Sequence, residues 1–141
     1  MEHSAGLILF REKNNKREYL LLYSEYITKY WSFSKGTIEK NEIPEQTAIR
    51  EANEETNLKN IEFVKGFEEK YSYFKKTTNN KTILKQVDWF LGKVLDENNG
   101  KISEEHLDLV WLPYEKALEK LTYNNDKELL TKAEEYLNKK K

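Results

Sequence analysis

Residues 36–58 read GTIEKNEIPEQTAIREANEETNL, and the second half of this stretch is spaced as a helix. Ile43-Pro44 opens it: proline's fixed φ suits the first turn, and the N–H it lacks would have no partner there. Glu45 in that first turn complements the helix dipole. Ile49, Ala52 and Thr56 recur at helical spacing and can face a sheet, with the small Ala52 allowing close approach. Glu51, Glu54 and Glu55 lie at i, i+3 and i+4, so their carboxylates share one face. Like charges so placed cost an isolated helix about 0.2–0.5 kcal/mol per pair. A cation over that face removes the cost, and hard carboxylate oxygens suit Mg2+ or Mn2+. The competing reading is a solvated, Glu-rich face in a chain that is rich in Lys and Glu throughout. Arg50, next to Glu51 and four residues before Glu54, carries a planar fork able to fix a carboxylate in one orientation. Read plainly, it is a surface ion pair of small value.

Working outward, the fixed positions Gly36, Glu42, Arg50-Glu51, Glu54-Glu55 and Leu58 resemble the signature of the Nudix hydrolases. That signature is Gly, five residues, Glu, seven residues, Arg-Glu, an apolar residue, any residue, Glu-Glu, any residue, Gly, apolar. Every charged position matches, with Ala52 at the first apolar place. Asn57 stands where the family has glycine. Asn is the next choice for a left-handed residue closing a helix, so a small stability cost and an intact site are expected.

The 141 residues fit one domain, 1–141, with a real core. Charged residues make up 35 % but nearly cancel at net −1, which argues against a generic nucleic-acid binder. The absence of cysteine excludes a disulfide framework, a thiolate zinc site and a cysteine nucleophile. It is compatible with a reducing cytosol, and the sequence has neither a membrane-length apolar run nor a signal-peptide pattern, so a cytoplasmic location is expected. Residues 139–141, all lysine, read as a frayed end.

Along the chain, 5–10 and 18–23 read as buried strands joined by a polar turn over 11–17, and 30–33 as a brief third strand. A hairpin is expected from 61–74, a loop over 75–81, and a long strand over 82–95. Residues 109–112 form a last strand. Helices follow from Pro113 to about 121 and from Asp126 to about 139, the latter with Leu129, Leu130, Ala133, Tyr136 and Leu137 on one side. This order gives an α/β (α+β) chain with a sheet between helices. The resemblance implies the same: an α/β/α sandwich with a mixed curved sheet.

Within the family the chain is similar to the asymmetric diadenosine tetraphosphate hydrolases over nearly its whole length. The approach Trp31-Ser32-Phe33-Ser34-Lys35-Gly36 matches a subfamily pattern, with Ser34 in place of a proline. The resemblance makes Lys35 a phosphate contact. Residues 66–73 are similar to a strand ending in a tyrosine near the polyphosphate, here Tyr73. Residues 85–90 match a strand whose leading lysine, here Lys85, reaches the phosphates. Sheet packing competes as an account of Tyr73, and more strongly of Trp89. Glu105 matches a loop glutamate that serves as ligand or base, with Glu104 where a histidine is frequent. His106 reads as a surface histidine. Tyr123 falls where the subfamily stacks an aromatic on adenine.

The resemblance implies hydrolysis of diadenosine tetraphosphate to ATP and AMP. Glu51, Glu54 and Glu55 then hold Mg2+ or Mn2+, Arg50 orients them, and one of the three or Glu105 takes a water proton. A dinucleoside polyphosphate is the expected partner, and a monomer the expected state. Two alternatives stand. One is an RNA 5′-pyrophosphohydrolase or another nucleoside diphosphate-X hydrolase of the family. The other is a non-catalytic nucleotide-binding module, against which the retained carboxylates argue.

Overall fold

The structure, a computed structural model, describes residues 1–25 and 28–140. The last residue of the lysine tail, Lys141, lies outside them. Strands β1 (Glu2–Lys13) and β2 (Lys16–Ser24) form a hairpin. Its turn is only Asn14-Asn15, both left-handed at φ 55° and 64°. Two left-handed residues make the tight hairpin turn whose twist matches that of the strands, and Asn tolerates that conformation. Both strands therefore run farther into the polar segment than their apolar residues suggest.

Next come β3 (Tyr30–Ser32) and β4 (Ser34–Thr37), helix α1 (Pro44–Thr56), then β5 (Ile61–Phe63), β6 (Glu69–Lys76), β7 (Thr82–Val94) and β8 (Asp108–Pro113). Helices α2 (Tyr114–Lys120) and α3 (Asn124–Lys139) close the described chain. The single strand expected over 61–74 is two strands. Gly66, at φ 90°, turns the chain between them, and both halves pair antiparallel with β7.

One edge of β1 runs parallel to β7 from Glu2 to Phe10, which makes the sheet mixed. The other edge is divided: β4 pairs with residues 4–7 and β2 with residues 10–13, both antiparallel. Beyond β2 lie β3 and β8. The two neighbours of β1 thus part into a wedge, and α1 packs on β1 and β4 beside it.

The alternation of β1 and β2 builds two cores. Leu7, Leu9, Leu20 and Leu22 pack with Ala48 and Ala52 of α1. Ile8, Phe10, Tyr19 and Leu21 pack with Ala117, Leu129, Leu130 and Ala133 of α2 and α3. A strand covered on both faces needs apolar residues at every position, which is why residues 5–10 are an unbroken apolar run. The result is an α+β sandwich, three layers with α1 on one side and α2 and α3 on the other. No helix among the described residues is long and apolar enough to cross a membrane.

Candidate active site

Helix α1 presents its three glutamates unequally. Glu55 is 5 % exposed at its side chain, Glu51 14 % and Glu54 59 %. Arg50 ties the face together. Its Nε donates to Glu42 Oε2 at 2.6 Å and its Nη2 to Glu42 Oε1 at 3.0 Å. Its Nη1 donates to Glu51 Oε2 at 2.6 Å and stands 3.5 Å from Glu54. Thr47 adds a hydroxyl donor to Glu42 at 2.7 Å. These donors hold the Glu42 carboxyl down at about 2, the Arg50 guanidinium first among them. Glu42 is therefore a fixed anchor for Arg50, and Arg50 fixes Glu51. Gly36 completes the arrangement, since a Cβ there would occupy the space of the Glu51 carboxylate.

The helix ends as its sequence suggests. Asn57 is left-handed at φ 60°, and its N–H returns to Asn53 O at 3.0 Å. The side chain does something glycine could not: Nδ2 donates to Lys101 O at 2.7 Å. With Lys101 N bonded to Thr56 O at 2.7 Å, this ties the start of the 101–107 loop to the end of α1. Leu107 N, bonded to Tyr23 O at 2.9 Å, ties the other end.

That loop brings Glu105 and His106 to Glu55, with one ligand-type atom from each residue within 4.8 Å of the others. His106 is thus not a surface histidine. Its side chain is 13 % exposed, and Nε2 lies 3.4 Å from Glu55 Oε2. Burial pushes the imidazole pKa down, but the Glu55 carboxylate outweighs it and raises the value overall. Glu55 Oε1 is buried without a hydrogen-bond partner. Burial first, and then the Glu55 charge, raise the pKa of Glu51 despite Arg50. An orphaned buried carboxylate oxygen, beside a second carboxylate reluctant to ionise, is a donor set that a divalent cation fits: hard oxygens, excess negative charge and few protein donors. Glu55 and Glu105, with Glu51 beside Glu55, are the oxygen donors that could hold such an ion.

Across the wedge the charge reverses. Tyr73 and Lys85 are directly opposed on the β6–β7 hairpin, and Lys85 is aligned with Glu2 of β1. Tyr71, Tyr73 and Lys75 alternate inward along β6 while Phe74 points to solvent. The Lys35 ammonium lies 5.6 Å from the Tyr73 ring centre and 5.9 Å from that of Tyr30. Burial lowers the Lys35 pKa. Lys85 falls to about 8, through burial first and then the charges of Lys35 and Lys75. Glu2 alone offsets part of this, 3.0 Å from Lys75 and 3.7 Å from Lys85. Lys35 has no carboxylate within ion-pair distance among the described residues. Three crowded ammonium groups, of which Lys35 also feels the Glu55 charge, suit an anion held beside them. Burial, then Tyr30, pushes the Tyr73 hydroxyl up to about 12, so it remains a donor. Tyr123, 45 % exposed, pairs with Tyr30 at 5.6 Å between ring centres, and its hydroxyl is 3.1 Å from Thr28 Oγ1.

The structure therefore brings Glu51, Glu55 and Glu105 to one side of the wedge, and Lys35, Tyr73 and Lys85 to the other. Glu54 stands at the rim and Tyr123 at the outer end. Trp89 is fully buried, edge-on to Phe33, and its packing role is confirmed. Sequence reasoning missed Lys75, Tyr30, the Glu42–Arg50 fork and the approach of His106. Alternation in β6 could have found Lys75. The other three depend on strand register and loop path.

A sequence model of the NUDIX domain matches residues 2–133. The asymmetrical bis(5′-nucleosyl)-tetraphosphatase of Caenorhabditis elegans is 28 % identical over 134 residues, covering 95 % of each chain. The dihydroneopterin triphosphate diphosphatase of Haemophilus influenzae is 29 % identical over 152 residues, covering 91 % of this chain and 92 % of its own. The structure of a C. elegans Ap4A hydrolase binary complex superposes with a TM-score of 0.86, at 28 % identity over 98 % of both chains.

Proposed function

The chain belongs to the Nudix family of hydrolases, and from that premise we propose that it cleaves diadenosine tetraphosphate to ATP and AMP. The observation that carries the reading is the opposition across one wedge of buried carboxylates, with an orphaned Glu55 oxygen, and a wall of Lys35, Lys75, Lys85 and Tyr73. A polyphosphate chain is the ligand whose charge answers the wall. The resemblance to the asymmetrical tetraphosphatase of C. elegans, nearly end to end, narrows the substrate.

Glu51, Glu54, Glu55 and Glu105 would hold a divalent cation, Mg2+ or Mn2+, and that ion would supply charge neutralisation on the phosphate and polarisation of water. Arg50, locked on Glu42, keeps Glu51 aimed at that position. Lys35 and Lys85 neutralise the phosphate oxygens as negative charge shifts during transfer, and Tyr73 donates to one of them. Positioning and electrostatics of this kind are what phosphoryl transfer requires of a protein. Water forms the new P–O bond, the bond to the bridging oxygen breaks, and one carboxylate of the cluster accepts the water proton. Tyr123 with Tyr30 offers a platform for one adenine, and the distance from that platform to the carboxylates selects the phosphate attacked. Stacking of a base on an aromatic side chain contributes about 1–3 kcal/mol.

Chromatography of the products after incubation with diadenosine tetraphosphate tests the reading. Equal amounts of ATP and AMP, abolished by chelator and restored by Mg2+ or Mn2+, are expected. Predominant ADP contradicts the register of the site. Rapid attack on 5′-triphosphorylated RNA, with the dinucleotide left intact, moves the chain to an RNA 5′-pyrophosphohydrolase. Full turnover in excess chelator removes the metal reading altogether.

A further inference from the structure

Asp126 is a buried carboxylate near the site that the proposed chemistry does not use. It lies in the first turn of α3 and is 1 % exposed. Ser32 Oγ donates to its Oδ2 at 2.7 Å, and the Tyr71 hydroxyl donates to its Oδ1 at 2.7 Å. Among the described residues no Lys, Arg or His comes within ion-pair distance of it. Its carboxylate supports the charged form of Lys35 from beyond that distance, but burying a carboxylate is costly, and well-packed apolar groups serve stability better. The start of α3 offsets part of that cost through its partial positive charge. Charge-assisted O–H···O bonds of this length are strong and directional. Their value here is geometric, because they end on three different elements.

Each of the three lies beside a residue of the aromatic platform or of the phosphate wall. Asp126 is three residues past Tyr123. Ser32 lies between Tyr30 and Lys35. Tyr71 is two residues before Tyr73 on the same face of β6, and their rings are 5.9 Å apart. The join between β3 and the start of α3 is reinforced: Trp31 N donates to Thr122 Oγ1 at 2.9 Å and Thr122 N to Trp31 O at 3.3 Å. The join to β6 at this depth is the Tyr71–Asp126 bond. It connects the strand that carries the phosphate-facing tyrosine to the segment that carries the aromatic pair.

We infer that Asp126 is a positioning residue that sets the span between the Tyr30–Tyr123 platform and the Lys35–Tyr73 phosphate grip. It touches neither base nor phosphate and acts through Ser32 and Tyr71. The inference rests on the polyphosphate reading of the wedge. When the latch is loosened, the two grips no longer fit one substrate, so binding suffers while the carboxylate side of the wedge is untouched.

The test is steady-state kinetics on diadenosine tetraphosphate for Asp126→Asn and Tyr71→Phe, with thermal melting to fix the folded fraction. Asp126→Asn keeps the size but replaces one acceptor by a donor. Tyr71→Phe deletes only the hydroxyl and keeps the inference open to refutation if Asp126→Asn fails to fold. Each should raise KM roughly tenfold, the equivalent of one charged hydrogen bond, with kcat within about threefold of wild type. The double variant should be little worse than either single one, because the two groups form one unit. A loss of stability alone lowers the apparent kcat with the folded fraction and leaves KM in place. Unchanged KM in well-folded Tyr71→Phe and Asp126→Asn overturns the inference. No wild-type turnover of diadenosine tetraphosphate refutes the substrate instead, and the two failures are thereby separate.

Discussion

Replacing Gly36 by alanine isolates the placement of Glu51. Gly36 lies in β4 opposite Ala5 and does not have positive φ, so the backbone raises no objection to a side chain. The obstacle is space: a Cβ at residue 36 falls inside contact distance of Glu51 Cγ, Cδ and Oε1. The carboxylate must retreat by on the order of 1 Å, and a misplacement of that size costs about 10²-fold in rate. It cannot retreat freely, because Arg50 Nη1 holds Oε2 at 2.6 Å and the same guanidinium is forked on Glu42. The crowding should also cost about 1–3 kcal/mol, the range for inserting one carbon into packed surroundings. The assay is kcat at saturating substrate and Mg2+, with the denaturant midpoint measured beside it. Glu51→Ala removes the obstacle, so adding Gly36→Ala to that background should change neither rate nor midpoint appreciably. Gly36→Ala with wild-type kcat and midpoint would show that Glu51 does not sit where its role requires.

Glu54→Gln and Glu55→Gln should each keep the fold and lower kcat by about 10²-fold or more, the scale of positioned acid–base groups. The larger loss is expected for buried Glu55, and wild-type rates in both would favour the solvated-face reading of the helix. Asn57→Gly should keep the left-handed helix end but free Lys101 O, costing about 1 kcal/mol in the denaturant midpoint. Hydrogen exchange in residues 101–107 should quicken, and unchanged exchange there would deny Asn57 its hold on the loop. Substrate binding should weaken as pH rises through about 8, where Lys85 loses its charge, and Lys85→Met should flatten that limb of the KM profile. The stability linkage has the opposite sign. The folded-state pKa lies below the unfolded one, so the unfolded chain binds more protons above pH about 8, and this group's contribution to stability rises there.

What the sequence made legible was local. Proline at the start of α1, left-handed Asn57 at its end and the 3.6-residue spacing between them are set by near neighbours, and they stand in the structure as read. The apolar run at 5–10 and the long strand read over 82–95 likewise correspond to β1 and β7. What escaped depends on chain meeting chain. The two strands within 61–74 look like one run until Gly66 turns between them to let both pair with β7. Lys75 reads as the edge of a polar loop, yet the hairpin register carries it inward two residues past Tyr73. Asp126 reads as the first residue of a helix, while its role is defined by Ser32 and Tyr71, 94 and 55 residues away.

The same distinction explains why the glutamates of α1 are not interchangeable. Helical spacing places three carboxylates on one face and assigns them equal standing. Docking on β1 and β4 then turns one edge of that face into the wedge. Glu55 is buried against the 101–107 loop, Glu51 is confined between Arg50 and Gly36, and Glu54 is left at the rim. Each environment alters the chemistry. Burial and a like charge make Glu51 resist ionisation. Glu55 keeps an oxygen that nothing in the protein satisfies. Glu54, with solvent around it, can adapt its position at little cost. Spacing identifies which residues can meet a cation; the sheet beneath them decides how strongly each one requires it.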